Sequence, residues 1–80
     1  MDSDKALTAA EQEMATIWSN ALGFDVSDPT SNFMDLGGSS LLAAQVATKA
    51  TEKFGSKINV VDVIVAPNLR ALVQDFAGAA

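Results

Sequence analysis

Eighty residues are enough for one small domain with a thin core and leave no room for a second. Hydrophobic residues at 49% against 19% charged ones describe a packed globular chain rather than a disordered segment. Ten acidic against five basic residues, a net charge of -5, disfavour nucleic acid and anionic membrane surfaces and favour a partner with a basic face, while the lack of cysteine and histidine excludes disulfides, thiolate metal sites and a histidine-activated nucleophile.

The amino end, MDSDKALTAAEQEM, has neither the charged nor the apolar region of a signal peptide, and no apolar run approaches membrane-spanning length. A cytoplasmic protein is expected. From Thr8 to about Leu22, Met14, Ile17, Trp18, Ala21 and Leu22 recur at helical spacing and predict a first helix with these residues on one face. Thr8 and Glu11 form a capping-box pattern, Gly23 is a stop, and Trp18 at this spacing reads as core rather than as a ligand platform.

The next segment, GFDVSDPTSNFMDLGG, is rich in turn signals and long for a connection in a compact domain. Phe24, Val26, Phe33 and Leu36 are expected to pin it to the core. Asp28 and Asp35 read as turn and capping residues, because no histidine or carboxylate cluster accompanies them to suggest a metal or acid/base site. A second helix is predicted from Ser39 or Ser40 to Phe54, with Leu42, Val46, Ala50 and Phe54 on one stripe and Gly55 as its stop.

In KINVVDVIVAP, six valines and isoleucines give strand propensity. A lone strand would leave its backbone groups unpartnered, so extended chain plus a short helical turn at about Val60 to Val65 is the better reading. That turn should bury Ile64 and Val60 and expose Val61, Val65 or both. A last helix is predicted from an Asn68 N-cap to Phe76, with Leu69, Leu72, Val73 and Phe76 facing inward. The fold class is therefore all-α, a four-helix bundle with a long first loop and a short third helix, with residues 1–6 and 78–80 frayed.

DLGGSSL, residues 35–41, is the least ordinary stretch. Taken as structure alone, it is a glycine-rich loop closing on a serine N-cap. One serine suffices for a cap, and paired glycines carry an entropic cost that a cap does not require. A hydroxyl at the positive end of a helix, flanked by residues without side chains, is open to another protein's active site, and a phosphate attached there meets free N–H groups. Self-activation is excluded: no histidine is present, and Lys49 and Lys53 lie too far along the second helix to act as bases.

The stretch NFMDLGGSSLLAAQVATKATEKFG, followed by INVVDVIVAPNLRALVQDFA, resembles the peptidyl carrier proteins, or thiolation domains, of non-ribosomal peptide synthesis, members of the acyl carrier superfamily. The resemblance spans nearly the whole chain and implies one carrier domain over residues 1–80 with an acyl-carrier-type bundle. It implies covalent 4'-phosphopantetheine, taken from coenzyme A, on Ser40, with Asp35, Gly37, Gly38 and Ser39 forming its surroundings. It implies a phosphopantetheinyl transferase, an adenylating enzyme, and condensation, tailoring or thioesterase domains as partners, for a monomer that is not itself an enzyme. Leu41, Val61 and Val65 are the expected partner surface. The cofactor would bring the thiol that the chain lacks.

The sequence departs from the family pattern at Ser39, where histidine or aspartate is usual, at Ile64, where an aromatic is common, and at Asn68, where threonine usually follows proline. Fatty-acid carriers resemble Gly-Ala-Asp-Ser with an acidic second helix, whereas this one holds Lys49 and Lys53 against Glu52, which favours an aminoacyl or peptidyl load. The alternatives are a carrier for a polyketide, aryl or reductase pathway, and an unmodified helical adaptor. The methionine start and short tail lean toward a free-standing protein over an excised domain.

Overall fold

A threonine hydroxyl starts the first helix. Thr8 Oγ1 accepts the Glu11 N–H at 3.1 Å while Glu11 Oε1 accepts the Thr8 N–H at 3.0 Å, so the expected capping box is formed. In this computed structural model, which describes residues 7–76 and the side chains of residues 7–75, the helices are α1 (Ala9–Leu22), α2 (Ser40–Phe54), α3 (Val60–Val65) and α4 (Leu69–Phe76), and no strand occurs among the described residues. The frayed ends expected at 1–6 and 78–80, and the inward role expected of the Phe76 side chain, lie outside the described residues.

The helices form because their apolar residues share a face, and they stay because that face is shielded from water. Met14 and Trp18 of α1, Val46 and Ala50 of α2, and Leu69 and Leu72 of α4 are fully buried; Ile17, Ala21, Leu22, Leu42 and Phe54 pack around them half-buried. Each large core side chain contributes about 1.5–3 kcal/mol. The Trp18 indole N–H is buried without a hydrogen-bond partner among the described residues, a cost of about 1–3 kcal/mol that the ring's packing has to outweigh. Ala43 and Ala47 are buried too, and small side chains on that side of α2 allow close approach of its neighbours. Helices α1 and α2 run antiparallel: Ala21 and Leu41 line one end of their shared surface, and Lys53 pairs with Glu13 at 3.2 Å at the other.

The valine-rich segment is helical, as backbone accounting requires. Asn59 N–H donates to Asp62 Oδ2 at 2.9 Å to start α3, and extended Ala66 before Pro67 ends it. Thr51 Oγ1 holds the approach to it by accepting the Ile58 N–H at 3.0 Å and donating to the Ile58 carbonyl at 3.3 Å. The expected inward residues need correction. Val63 is fully buried, while Ile64 and Val60 are only half-buried. With Asp62 as its one polar residue, the six-residue helix has no periodicity from which its inward face could be read.

Glu11 is the buried charge among the described residues, 3% exposed. Its Oε2 accepts from Arg70 Nε at 2.8 Å and its Oε1 from an Arg70 terminal nitrogen at 3.2 Å, clamping the start of α1 to the start of α4. The hydrogen bond from Arg70 holds the Glu11 carboxyl below the usual glutamate range, opposed by burial and reinforced by the Thr8 backbone N–H. A carboxyl depressed in the folded state stabilises the fold above its ordinary value of about 4.3, and that contribution fades as pH falls through the folded value. Arg70→Leu, which strands a buried carboxylate, should lower stability at neutral pH by about 2–3 kcal/mol, less than a fully buried pair because the Arg70 side chain is 30% exposed. Glu11→Gln should flatten the acid limb of stability below about pH 4.3, read as urea midpoints across pH; an unchanged acid limb would show that the clamp does not govern it.

Candidate functional site

Residues 23–39, between α1 and α2, carry most of what places the site. Three of the four expected anchors hold: Val26 and Phe33 are buried and Leu36 packs half-buried against the core. Phe24 is not an anchor. It is 47% exposed, because the chain leaves Gly23 in a left-handed turn and the first inward residue is Val26, whose N–H donates to Ser19 Oγ at 2.9 Å. Asp28 is the turn residue expected, accepting from the Thr30 N–H at 2.8 Å and the Thr30 hydroxyl at 2.7 Å.

Polar staples that sequence reasoning missed tie this loop to the end of the chain. The carbonyls of Ser31 and Pro29 accept the first N–H groups of α4, from Leu69 at 2.9 Å and Arg70 at 3.0 Å, beside the expected Asn68 cap, whose Oδ1 accepts the Ala71 N–H at 2.8 Å. Asn32 donates its amide to the Pro67 carbonyl at 3.1 Å and accepts the Asp35 N–H at 2.9 Å. The TSN run is a turn signal in the sequence; its long-range partners are not readable there. Asp35 takes part through its backbone N–H, and the residue itself is exposed.

From Asn32 the chain turns tightly, and the two glycines answer different demands. Gly37 has φ +97°, a left-handed conformation that favours glycine. Gly38 is set by contact: its N–H donates to the Phe33 carbonyl at 3.1 Å, and a Cβ there would meet the Phe33 ring at 2.4 and 2.5 Å and the Phe33 carbonyl oxygen at 2.7 Å. The Phe33 ring packs edge-on against Trp18 with 5.1 Å between centroids. Ser39 follows as the N-cap of α2, with Oγ accepting the Leu42 N–H at 3.3 Å and its carbonyl the Ala43 N–H at 2.8 Å. Ser40 is the first helical residue and is exposed.

The five residues expected at the site thus belong to one turn-and-cap over residues 35–40, and the two serines divide the work. Ser39 holds the helix, leaving the hydroxyl of Ser40 at a helix start whose first turn carries no acidic side chain. An anion joined to Ser40 meets the positive end of α2 with no carboxylate in that turn to oppose it. These residues fit a phosphodiester-linked group. Lys49 lies nine positions further on, about 13 Å along the helix axis, too far to deprotonate Ser40. No cluster of side chains among the described residues could hold a metal ion, and no described helix is long and apolar enough to cross a membrane. Leu41, Val61 and Val65 are 69%, 57% and 68% exposed; Met34, absent from the expected surface, is also exposed.

Comparison with known proteins bears on this geometry. The chain is 36% identical over 67 residues to the chondramide synthase cmdD of Chondromyces crocatus and 40% identical over 70 residues to the phosphinothricin tripeptide synthetase PhsB of Streptomyces viridochromogenes. Those matches cover 84% and 88% of this chain, which spans only 2% and 6% of those proteins. Its backbone superposes with a TM-score of 0.83 and 30% identity on a chain from the structure of the phosphopantetheine transferase Sfp in complex with coenzyme A and a peptidyl carrier protein, covering 91% of this chain and 96% of that one. BlmI, a type-II acyl-carrier-protein from Streptomyces verticillus, shares the fold with a TM-score of 0.80 at 22% identity, over 89% of this chain and 86% of that one. Residues 12–76, from within α1 to the end of α4, match the phosphopantetheine attachment site family, and the chain belongs to that family.

Proposed function

We propose that this chain is a peptidyl or aminoacyl carrier domain that receives 4'-phosphopantetheine on Ser40. The observation that carries the residue assignment is the division between the serines: Ser39 is committed to the cap, and Ser40 stands exposed beside it, behind two glycines. In the transfer, Ser40 Oγ attacks the pantetheine-side phosphorus of coenzyme A, the bond to the nucleotide phosphate breaks, and 3',5'-ADP leaves with the electron pair. The transferase supplies the base that takes the Ser40 proton, because this chain has no histidine and its lysines on α2 are remote. Once attached, the group supplies a thiol on a flexible tether for thioester chemistry, which a chain without cysteine needs.

The peptide-synthetase relatives support an amino acid or peptide as cargo, and adenylating, condensation, tailoring or thioesterase domains as later partners. Residues 1–80 then act as one monomeric, cytoplasmic carrier domain with no catalytic activity of its own. The exposed Leu41, Val61 and Val65 are the surface these partners would meet, since large apolar side chains left facing solvent are a usual mark of protein contact.

Incubation with coenzyme A and a broad-specificity transferase should add one phosphopantetheine mass, mapped to Ser40. Ser40→Ala should abolish the gain and leave stability nearly unchanged, because the N-cap of α2 belongs to Ser39. Ser39→Ala should retain the gain at the cost of a cap, about 1 kcal/mol in urea unfolding. Loss of attachment in Ser39→Ala but not in Ser40→Ala would overturn the assignment.

Loading tests the surface. Leu41→Asp and Val65→Asp should each slow aminoacylation of the phosphopantetheinylated chain by about tenfold, as expected for loss of roughly 1.4 kcal/mol of contact energy. Circular dichroism should stay unchanged in both. Unaltered loading rates in both folded variants would remove these residues from the partner surface.

A further inference from the structure

Asn32, where the turn before Ser40 begins, is bonded at both ends of its side chain. Its Oδ1 accepts the Asp35 N–H at 2.9 Å, and its Nδ2 donates to the Pro67 carbonyl at 3.1 Å, with the Ala66 carbonyl at 3.4 Å. The partners fix the amide's orientation, because an N–H needs its oxygen and two carbonyls need its nitrogen. Among the described residues, the hydrogen bonds of residues 33–40 otherwise stay within this turn and α2, and the loop's ties to α4 from Pro29 and Ser31 lie before the turn starts. This one amide is therefore the polar link between the serine turn and the α3–α4 connection.

Each end of it adjoins something a partner would touch. The Asp35 N–H belongs to the turn that delivers Ser40, and Ala66, the C-cap of α3, follows the exposed Val65 directly. Helix α3 is only six residues long and fully buries only Val63, so the placement of its exposed valines depends on how its ends are held. Thr51 holds the entry through the backbone of Ile58, and Asn32 holds the exit. Asp35 and Pro67 are exposed, so water can replace these two bonds at little cost to overall stability. What they restrict is local shape.

We propose that Asn32 is a positioning residue for the carrier reactions: its Oδ1 holds the Ser40 turn in the shape a transferase accepts, and its Nδ2 holds α3, with Val61 and Val65, in register with that turn. This rests on the attachment to Ser40 and on the partner surface proposed above. A turn freed of its Asn32 bond occupies the accepted shape only part of the time, and the apparent affinity for the enzyme falls by that fraction. Once bound, the same Ser40 hydroxyl reacts at the same rate.

Three variants separate these roles, each with its folded state confirmed by urea unfolding. Asn32→Ala, which loses both ends, should raise the KM for the chain in phosphopantetheine transfer from coenzyme A about fivefold with kcat unchanged, and slow aminoacyl loading of the modified chain by a similar factor. Asn32→Asp keeps an oxygen for the Asp35 N–H but sets another against the Pro67 carbonyl, so transfer should keep the wild-type KM while loading is slowed as in Asn32→Ala. Thr51→Val, which strands the backbone groups of buried Ile58 away from the turn, should lower the urea midpoint more than either and leave the transfer KM alone. In amide NMR spectra of the ¹⁵N-labelled chain before transfer, the Asp35 signal should move in Asn32→Ala and far less in Asn32→Asp, and the Asn68 amide, in the same peptide unit as the Pro67 carbonyl, should move in both. A wild-type transfer KM in Asn32→Ala, equal transfer KM values in the two Asn32 variants, an equal rise in Thr51→Val, or wild-type loading in Asn32→Asp would each overturn the positioning role and leave the carrier reading standing. Failure of the unsubstituted chain to take phosphopantetheine would overturn both.

Discussion

The contact of the Phe33 ring with the Gly38 backbone is the constraint on which the site depends. Phe33 reaches inward from the loop to meet Trp18, the largest core side chain of α1, and its outer side receives the chain as it enters α2. The register is set by sterics rather than by attraction: atoms of Phe33 stand where a Cβ on residue 38 would be, two of them in a ring packed on a tryptophan and the third its carbonyl oxygen. The position of the Ser39 cap, and hence of Ser40, is referred through one aromatic pair to the centre of the bundle.

A thin core alone would hold a long loop poorly, and here polar bonds do what packing cannot. The loop's carbonyls accept the first N–H groups of α4, and its Asn32 reaches the connection between α3 and α4, so the middle of the segment is fastened. These bonds also satisfy helix-start N–H groups that would otherwise be orphaned. The Glu11 clamp joins the same region from α1, since Arg70, whose N–H is taken by the loop, offers its guanidinium to the helix on the other side. The start of α4 is thereby a junction where α1, the loop and the chain's last helix meet.

Much of this is legible in the sequence, because it follows from local chemistry. The capping box at Thr8, the stop at Gly23, the helical turn over Val60–Val65 and the Asn68 cap each depend on residues within a few positions of one another. The glycine and serine motif is legible for the same reason. What escapes depends on distant partners or on a pattern with no contrast. Val63 gives no sign that it, rather than Ile64, faces inward, because nearly every position of α3 is apolar. Phe24 looks like an anchor because hydrophobicity alone does not say which way the chain turns after a left-handed glycine. Glu11 is recognisable as half of a capping box; that its other oxygen closes on Arg70, 59 residues away, is a property of the folded chain.

Ser39 joins these two kinds of information. The family pattern leads one to expect histidine or aspartate there, and the fold gives the position a task, that of capping α2. Aspartate would cap equally well, since its carboxylate oxygen accepts the same N–H, but would place a negative charge beside the phosphate proposed for Ser40. Serine caps without the charge. Histidine at this position would surrender the favoured cap for a larger polar surface. The residue before the proposed attachment point therefore trades helix stability, charge against the phosphate and exposed surface, and in this chain the balance falls on a neutral cap with little surface of its own, next to Leu41, which with the exposed valines of α3 is proposed as the contact surface.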